Sequence, residues 1–475
     1  MGTSFLWGTL EVTPIFLKKL KELVSANAVL TSDDDCISYG MDWTKTPGKA
    51  GAVVLPSSTA EVAKILKLCS EHKVSVIPSG GRTGLAGAIT ATRGELSLNL
   101  SRMNRLEKVD VLGRSVRVQA GVTTQALHEH CEAQGLTWPI DLASKGTSQI
   151  GGNLSTNAGG VRVIRYGMAR RWVSAIQAVL MNGEVIELNQ GLEKNNTGYD
   201  LLQLLIGAEG TLAVITEATL KLCAPPIQSR VFLFSLKSFE ALRALYQKVR
   251  QGPFILTSFE FFSHPCLEKV VTKLNRKFRL QAPSEYYALI DVEMPKIPQS
   301  TELMDGWLND LLQEEIVVDG LAADSSESQK EVWALRESIT ESLQMSGLVR
   351  KYDLCVPVNK CDSFLKDAKE LFERMKLPVE LYIFGHFGDG SPHLNFLNAQ
   401  NISPQKFHEA INRYEAELYP LLKAYSGSVS AEHGVGALKK NWVVYSRTPI
   451  ELEIYRSIKK AFDPLGLLNP GKIID

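Results

Sequence analysis

No apolar run in the sequence approaches the ~18–20 residues that a membrane span needs. Net charge is missing as well: 52 Lys and Arg balance 52 Asp and Glu. A nucleic-acid binder normally shows a basic surplus, so none is expected as a partner, and anion recognition must come from a few placed cations. The 7 cysteines are odd in number and scattered, with no Cys-x-x-Cys pair. That excludes a disulfide framework and a thiolate zinc site, and it fits a reducing compartment. Met1–Leu10 lacks the basic region and long apolar core of a secretory leader, and Leu6 breaks the N-myristoylation pattern. Repeats and low-complexity tracts are absent. These absences predict a soluble intracellular protein, with the mitochondrial matrix and the bacterial cytoplasm both open.

What is present is an ordinary globular composition, 44% hydrophobic and 22% charged, which excludes disorder. Strands and helices alternate through the first half. Ser58 and Glu61 have capping-box spacing ahead of Val62, Ile65, Leu66 and Cys69 at helical period. Strands are expected at Val74–Pro78 and Val116–Ala120, a helix from Thr124 to Gly135, and a hairpin over Ile176–Leu188 around Asn182-Gly183. Ala224-Pro225-Pro226 breaks the pattern and marks a domain boundary. Beyond it the spacing predicts helices at Lys237–Arg250, near Ser328–Met345, at Phe364–Met375 and from Pro404 to Tyr425. Strands are predicted there at Tyr286–Glu293, Val349–Val356 and Leu381–His386.

Three glycine clusters stand out. The first, Ile77-Pro78-Ser79-Gly80-Gly81-Arg82-Thr83-Gly84-Leu85-Ala86-Gly87, leaves a strand. The second is Ile150-Gly151-Gly152-Asn153-Leu154-Ser155-Thr156-Asn157-Ala158-Gly159-Gly160, and the third is Gly207-Ala208-Glu209-Gly210-Thr211. Glycine lets backbone N–H groups converge on an anion such as a pyrophosphate. Neither the Gly-x-Gly-x-x-Gly fingerprint nor a Gly-Lys-Ser/Thr ending is present. One cluster alone is more often a surface turn; three in one domain point to a large phosphate-bearing ligand.

The clusters and their order resemble the flavoprotein family that includes vanillyl-alcohol oxidase and p-cresol methylhydroxylase. The resemblance implies an α+β fold. A two-subdomain FAD-binding domain would occupy residues 1–225, with an N-terminal arm at 1–45 and a core at 46–225. An α+β substrate- and metal-binding domain with an antiparallel sheet would span 226–428, and a C-terminal helical segment, 429–475, would return to the flavin. It also implies FAD contacts from Pro78, Ser79, Gly80, Gly81, Arg82, Thr83, Gly84 and Gly87, with the pyrophosphate on Gly80–Gly84. Further contacts are implied for Ile150, Gly151, Gly152, Asn153, Thr156, Asn157, Gly159 and Gly160, and for Glu209, Gly210, Ile215 and Asn469. Members with covalent flavin often carry His in or near the first loop. None lies between His72 and His128, so the FAD is expected to be non-covalent. Arg82 stands where members commonly have Gly or Asn.

The stretch Gly385-His386-Phe387-Gly388-Asp389-Gly390-Ser391-Pro392-His393 carries a second signal. A two-residue turn at Asp389-Gly390 would pair Gly388 with Ser391, Phe387 with Pro392 and His386 with His393. The two imidazoles would then face each other on one side of the ribbon. A stacked core pair is the plain alternative. Ser428-Val429-Ser430-Ala431-Glu432-His433-Gly434 adds a carboxylate and a third imidazole. His386, His393 and Glu432 suit a divalent ion with open positions, most naturally Zn²⁺, with Mn²⁺ and Co²⁺ nearly as fitting. Arg336 and Thr340, four apart on a predicted helix, place a guanidinium and a hydroxyl on one face. Lys351 opens the next strand. A solvated helix face is the plain alternative there.

Trp333–Thr340, Lys351-Tyr352-Asp353, the His386–His393 hairpin, Asn395, Glu432-His433-Gly434 and Phe462–Lys472 together resemble the FAD-linked D-2-hydroxy-acid dehydrogenases. Ser391-Pro392 departs from the usual Asn-Leu. The resemblance implies oxidation of a D-2-hydroxy dicarboxylate to the 2-oxo acid with FAD as hydride acceptor. His433 would be the general base, and Arg336, Thr340, Lys351 and Asn395 would hold the substrate. The electron acceptor would be soluble, such as electron-transferring flavoprotein, or a quinone; the oligomeric state stays open, a homodimer included. A D-lactate or glycolate dehydrogenase of the same family, and a non-catalytic flavin-binding subunit, are the alternatives.

Overall fold

The computed structural model describes residues 12–226, 228–275, 278, 280, 283–295 and 297–474. Met1–Leu10, read above for leader signals, lies outside the described residues. Two compact units make up the chain: residues 1–160, 168–225 and 432–475 in one, and 161–167 with 226–431 in the other. No described helix is long and apolar enough to cross a membrane.

The first unit holds two four-stranded sheets. β1 (Val29–Leu30), β2 (Ala52–Val54), β3 (Val76–Ser79) and β4 (Leu96–Asn99) lie in the order β1-β2-β4-β3. β3 and β2 flank β4 in parallel, so a crossover must join β2 to β3, and the helix Thr59–His72 supplies it. Ser58 caps that helix, its side chain accepting from the Glu61 N–H. The Glu61 carboxylate reaches back to Ser57 N–H and Oγ, which leaves the capping box half formed. Val62, Ile65, Leu66 and Cys69 are fully buried with the sheet. β5 (Ser115–Gln119), β6 (Val173–Val179), β7 (Val185–Leu188) and β8 (Val214–Lys221) form an antiparallel sheet in the order β5-β8-β6-β7. The expected hairpin around Asn182-Gly183 joins β6 to β7, with Gly183 at φ 87°. Trp138, Ile150, Leu154 and Leu127 pack beneath this sheet.

The second unit is built on one seven-stranded antiparallel sheet. Its strands are β9 (Ser229–Leu236), β10 (Ile255–Ser263), β11 (Tyr286–Glu293), β12 (Asp319–Ala323), β13 (Val349–Asp353), β14 (Glu380–His386) and β15 (Ser391–Leu397). They lie in the order β12-β9-β11-β10-β14-β15-β13. Side chains alternate between the two faces of a strand, and both faces here are covered. On one, Phe262, Tyr287, Leu289, Tyr382 and Phe384 meet the helices His264–Leu274, Ser326–Glu337 and Ile339–Gln344. On the other, Tyr352 and Phe396 contact aromatic residues of the helices Cys361–Met375 and Pro404–Ala424.

Two expectations need correction. The single helix near Ser328–Met345 is broken at Ser338 (φ −78°, ψ −5°), so Arg336 and Thr340 belong to successive helices. The hairpin register also differs. Phe387–Asp389 forms a 3₁₀ turn and Gly390 turns the chain at φ 77°. His386 therefore pairs with Ser391, Gly385 with Pro392, and His393 with Phe384. A shift of one residue would have sent the histidines to opposite faces; this shift of two preserves the face. The imidazoles meet as diagonal neighbours, with centroids 5.1 Å apart at 89°.

Candidate active site

Strand alternation assembles the polar group of the second unit. Cross-strand pairing sets Glu260 beside His386, His393 beside Asp353, and Lys351 beside Asn395. With Tyr382 and Phe384 these residues share the face that carries Arg336 from the helix Ser326–Glu337. His386 and His393 are buried, as are Asp353, Asn395 and Glu260. Glu432 follows directly on Ala431, whose N–H bonds the Asp353 carbonyl. One nitrogen of each of His386 and His393 and a carboxylate oxygen of Glu432 all lie within 4.8 Å of one another. A second such group is Asp353, Glu432 and His433. His433 Nε2 stands 3.6 Å from Glu432 Oε1. Two imidazoles and a carboxylate at this spacing are a donor set that fits a divalent transition ion.

The cations on this face are only partly engaged. Arg336 Nη2 lies 2.9 Å from Glu260 Oε2, a charge contact without hydrogen-bond alignment, and the guanidinium sits over the Phe384 ring at 4.8 Å. Its Nε is buried with no hydrogen-bond partner among the described residues, and the same holds for Asn395 Nδ2. Burial lowers the Lys351 ammonium below the ordinary lysine range. Buried donors without acceptors are uncommon and call for a ligand, and an anion with oxygen acceptors would satisfy these. Thr340 is half-buried at the start of the following helix.

Nothing in the sequence spacing points to a role for Glu260 or Asp353. The available signal for Glu260 was a lone carboxylate inside Ser258-Phe259-Glu260-Phe261-Phe262, since a charge in a buried apolar run needs a partner.

The first unit offers a different kind of site, made of backbone. Gly80–Gly87 has no regular structure, and a Cβ on Gly81 would sit 2.0 Å from the Thr147 carbonyl oxygen, so only glycine fits. Asn99 Nδ2 donates to Ser79 Oγ and the Gly80 carbonyl, fixing the loop as it leaves β3. Arg82 adopts φ 58°, the conformation that favours Gly or Asn; its guanidinium bonds Ser38 and lies over Tyr39 at 4.3 Å. Thr83, Gly84 and Gly87 continue the loop, and Pro78 packs on Gly210. Ile150, Gly151, Gly152 and Asn153 lie on the helix Ile150–Ser155. Asn153 donates to Thr124 Oγ1 at 2.7 Å, and Thr156 Oγ1 donates to the Gly152 carbonyl. Asn157 Oδ1 accepts from the Arg170 N–H. Gly159 and Gly160 follow, and Ile215 is buried in β8.

Glu209 and Asn469 have internal partners. The Glu209 carboxylate accepts from Val435 and Gly436 N–H at 2.7 and 2.8 Å, which anchors the loop after His433. Burial raises its pKa against the pull of those two N–H groups. Asn469 Nδ2 donates to the Glu209 and Ala88 carbonyls. Among the described residues, three buried acceptors near these segments have no hydrogen-bond partner: Gln149 Oε1, which a Cβ on Gly80 would approach at 3.0 Å; Asp42 Oδ2, 3.6 Å from a Cβ on Gly84; and Asn469 Oδ1. A ligand with several N–H and O–H donors fits such a set.

Known proteins match both halves of the chain. Residues 50–189 match the model of an FAD binding domain, and residues 225–473 match that of FAD linked oxidases, C-terminal domain. D-2-hydroxyglutarate dehydrogenase of Stutzerimonas stutzeri (strain A1501) is 38% identical over 461 residues, 97% of this chain and 99% of that one. The mitochondrial D-2-hydroxyglutarate dehydrogenase of Bos taurus is 36% identical, covering 95% of this chain and 82% of its own length. Among solved structures, p-cresol methylhydroxylase with substrate bound aligns over 98% of both chains, with a TM-score of 0.79 at 16% identity. Alkyldihydroxyacetonephosphate synthase aligns with a TM-score of 0.71 at 20% identity, over 98% of this chain and 85% of its own. These last two likenesses show the fold. With matched models over both halves and relatives aligned across nearly the whole length, the chain belongs to the FAD-linked oxidases and is closely related to the D-2-hydroxyglutarate dehydrogenases.

Proposed function

We propose that this protein oxidises D-2-hydroxyglutarate, or a closely similar D-2-hydroxy dicarboxylate, to the 2-oxo acid. The observation that carries the reading is the meeting of His386, His393 and Glu432, with two buried donors of the same sheet face, Arg336 Nε and Asn395 Nδ2, lacking hydrogen-bond partners among the described residues. When bound, non-covalent FAD supplies the hydride acceptor and a divalent ion, Zn²⁺ by its ligand type, supplies the Lewis acid. His386, His393 and Glu432 would hold the ion. His433, next in sequence to Glu432, would take the substrate hydroxyl proton as general base. Arg336 would address a substrate carboxylate through its uncommitted Nε edge, with Thr340, Lys351 and the Asn395 amide holding the remaining oxygens. Glycines 80, 81, 84 and 87, the segments Ile150–Gly160 and Glu209–Gly210, and Asn469 would shape the FAD cradle.

Steady-state kinetics on D- and L-2-hydroxy acids with a dye acceptor, before and after chelation, tests the reading. Selective turnover of D-2-hydroxyglutarate that chelation abolishes and Zn²⁺ restores is the expected result. Turnover indifferent to chelation would overturn the metal role. One observation favours a second reading: Glu260 already neutralises part of the Arg336 charge. A monocarboxylate enzyme acting on D-lactate or glycolate needs no second carboxylate clamp, and the same panel separates the two. Electron-transferring flavoprotein or a quinone is the acceptor class to try first, in the mitochondrial matrix or a bacterial cytoplasm.

A further inference from the structure

We propose that Glu260 is a positioning residue, one carboxylate that sets His386 for the metal and Arg336 for the substrate. The proposal rests on the metal reading above and goes beyond it. Glu260 lies in the middle strand β10 and is 1% exposed. A carboxylate at that depth must be paired, and its two oxygens take different partners. Oε1 is 2.6 Å from His386 Nδ1, and it also accepts from Ser258 Oγ at 3.2 Å. Oε2 is 2.9 Å from Arg336 Nη2.

Each contact has a consequence for the opposite end of its partner. With the Nδ1 proton donated to Glu260, the lone pair of the His386 ring falls on Nε2. Metal-bound histidines commonly donate their second ring N–H to a carboxylate, which fixes the tautomer and the ring plane. On the other side, Glu260 occupies the Nη2 end of a rigid planar fork that also rests on Phe384. The Arg336 Nε is left buried and without a hydrogen-bond partner among the described residues. Metal ligand and substrate cation are indexed to one another through a single side chain.

The test uses full-length, FAD-loaded protein, stripped of metal by a chelator and titrated with Zn²⁺ against a chromophoric competitor. Glu260→Ala removes both contacts and is expected to lose zinc affinity by about 10–100-fold. Glu260→Gln keeps an oxygen for the His386 N–H but sets an amide against Arg336. It is expected to lose less zinc affinity while raising KM for D-2-hydroxyglutarate more than for D-lactate. Flavin absorbance, the measure of folding, should be unchanged in both. Wild-type zinc affinity in Glu260→Ala together with an unchanged KM ratio in Glu260→Gln overturns the proposal. His386→Ala in the same titration keeps the failures apart. If it binds Zn²⁺ as tightly as wild type, the metal reading falls and takes this proposal with it. If it loses Zn²⁺ while Glu260→Ala does not, only the role of Glu260 falls. A third measurement needs no variant: ¹⁵N-histidine NMR of the zinc-loaded wild type should show a zinc-bound imidazole with its proton on Nδ1. Zinc on the Nδ1 of His386 would overturn the proposal.

Discussion

The second unit builds its polar group from side chains on regular strands, whereas the candidate cradle of the first is largely backbone, in loops and the short helix Ile150–Ser155. In the seven-stranded sheet, the two-residue period of β10, β13, β14 and β15 puts Glu260, Lys351, Asp353, His386, His393 and Asn395 on one face. In the first unit, the candidate cofactor residues Arg82, Asn157, Glu209 and Asn469 all adopt φ between 46° and 58°. Asparagine tolerates that conformation, whereas Arg82 and Glu209 are strained in it, and such strain gathers at functional sites. The lesson is where each site is vulnerable. Deleting one atom group disables a side-chain site, whereas a backbone site fails when an added atom moves the chain.

His433→Ala should produce the largest effect, lowering kcat by about 10²–10⁴-fold, roughly 3–5 kcal/mol. Flavin content should be retained; rapid turnover by this variant would remove the general base from the side-chain site. Arg336→Ala comes next, with a loss of about 1.5–3 kcal/mol in kcat/KM for dicarboxylates and much less for D-lactate. Equal losses for both substrates would favour the monocarboxylate reading. For the backbone site, Gly81→Ala adds one methyl against the Thr147 carbonyl and should destabilise by about 1–3 kcal/mol. Here the readouts are flavin retention and Tm, with the zinc titration unaffected. Full flavin content at an unchanged Tm would erase the contrast between the two sites.

The smallest effect concerns Asp291, buried in β11, whose carboxyl is pushed up to about 6 by burial against the pull of Arg162 at 3.7 Å. A carboxyl whose folded pKa is raised favours the folded state below its unfolded value. That contribution is lost as pH rises from about 4 through 6. The Tm of wild type relative to Asp291→Asn should therefore fall over that window. A flat difference would show that the Arg162 pair outweighs burial.

Legibility followed the range of the interaction involved. The Ser58 cap, the Asn182-Gly183 hairpin and the helix from Thr124 are local, and the sequence predicts them from a few neighbouring residues. Ser338 breaks a helix that periodicity runs through, because a change of ψ at one residue leaves the apolar spacing intact. The hairpin shows the same limit. The residues predicted adjacent imidazoles, yet the turn is longer than Asp389-Gly390 suggests, and the contact is diagonal.

By itself the sequence determined which residue types were available: three glycine clusters, two histidines seven apart, and a Glu-His pair near the end. These are properties of composition and spacing, and they imply chemistry wherever they lie. Only the tertiary structure decided which of them meet. Glu260 lies 126 residues from His386, and Glu209 lies 226 from Val435. Contacts at such separations depend on sheet order and register, set by the burial of whole faces and not by any neighbouring residue.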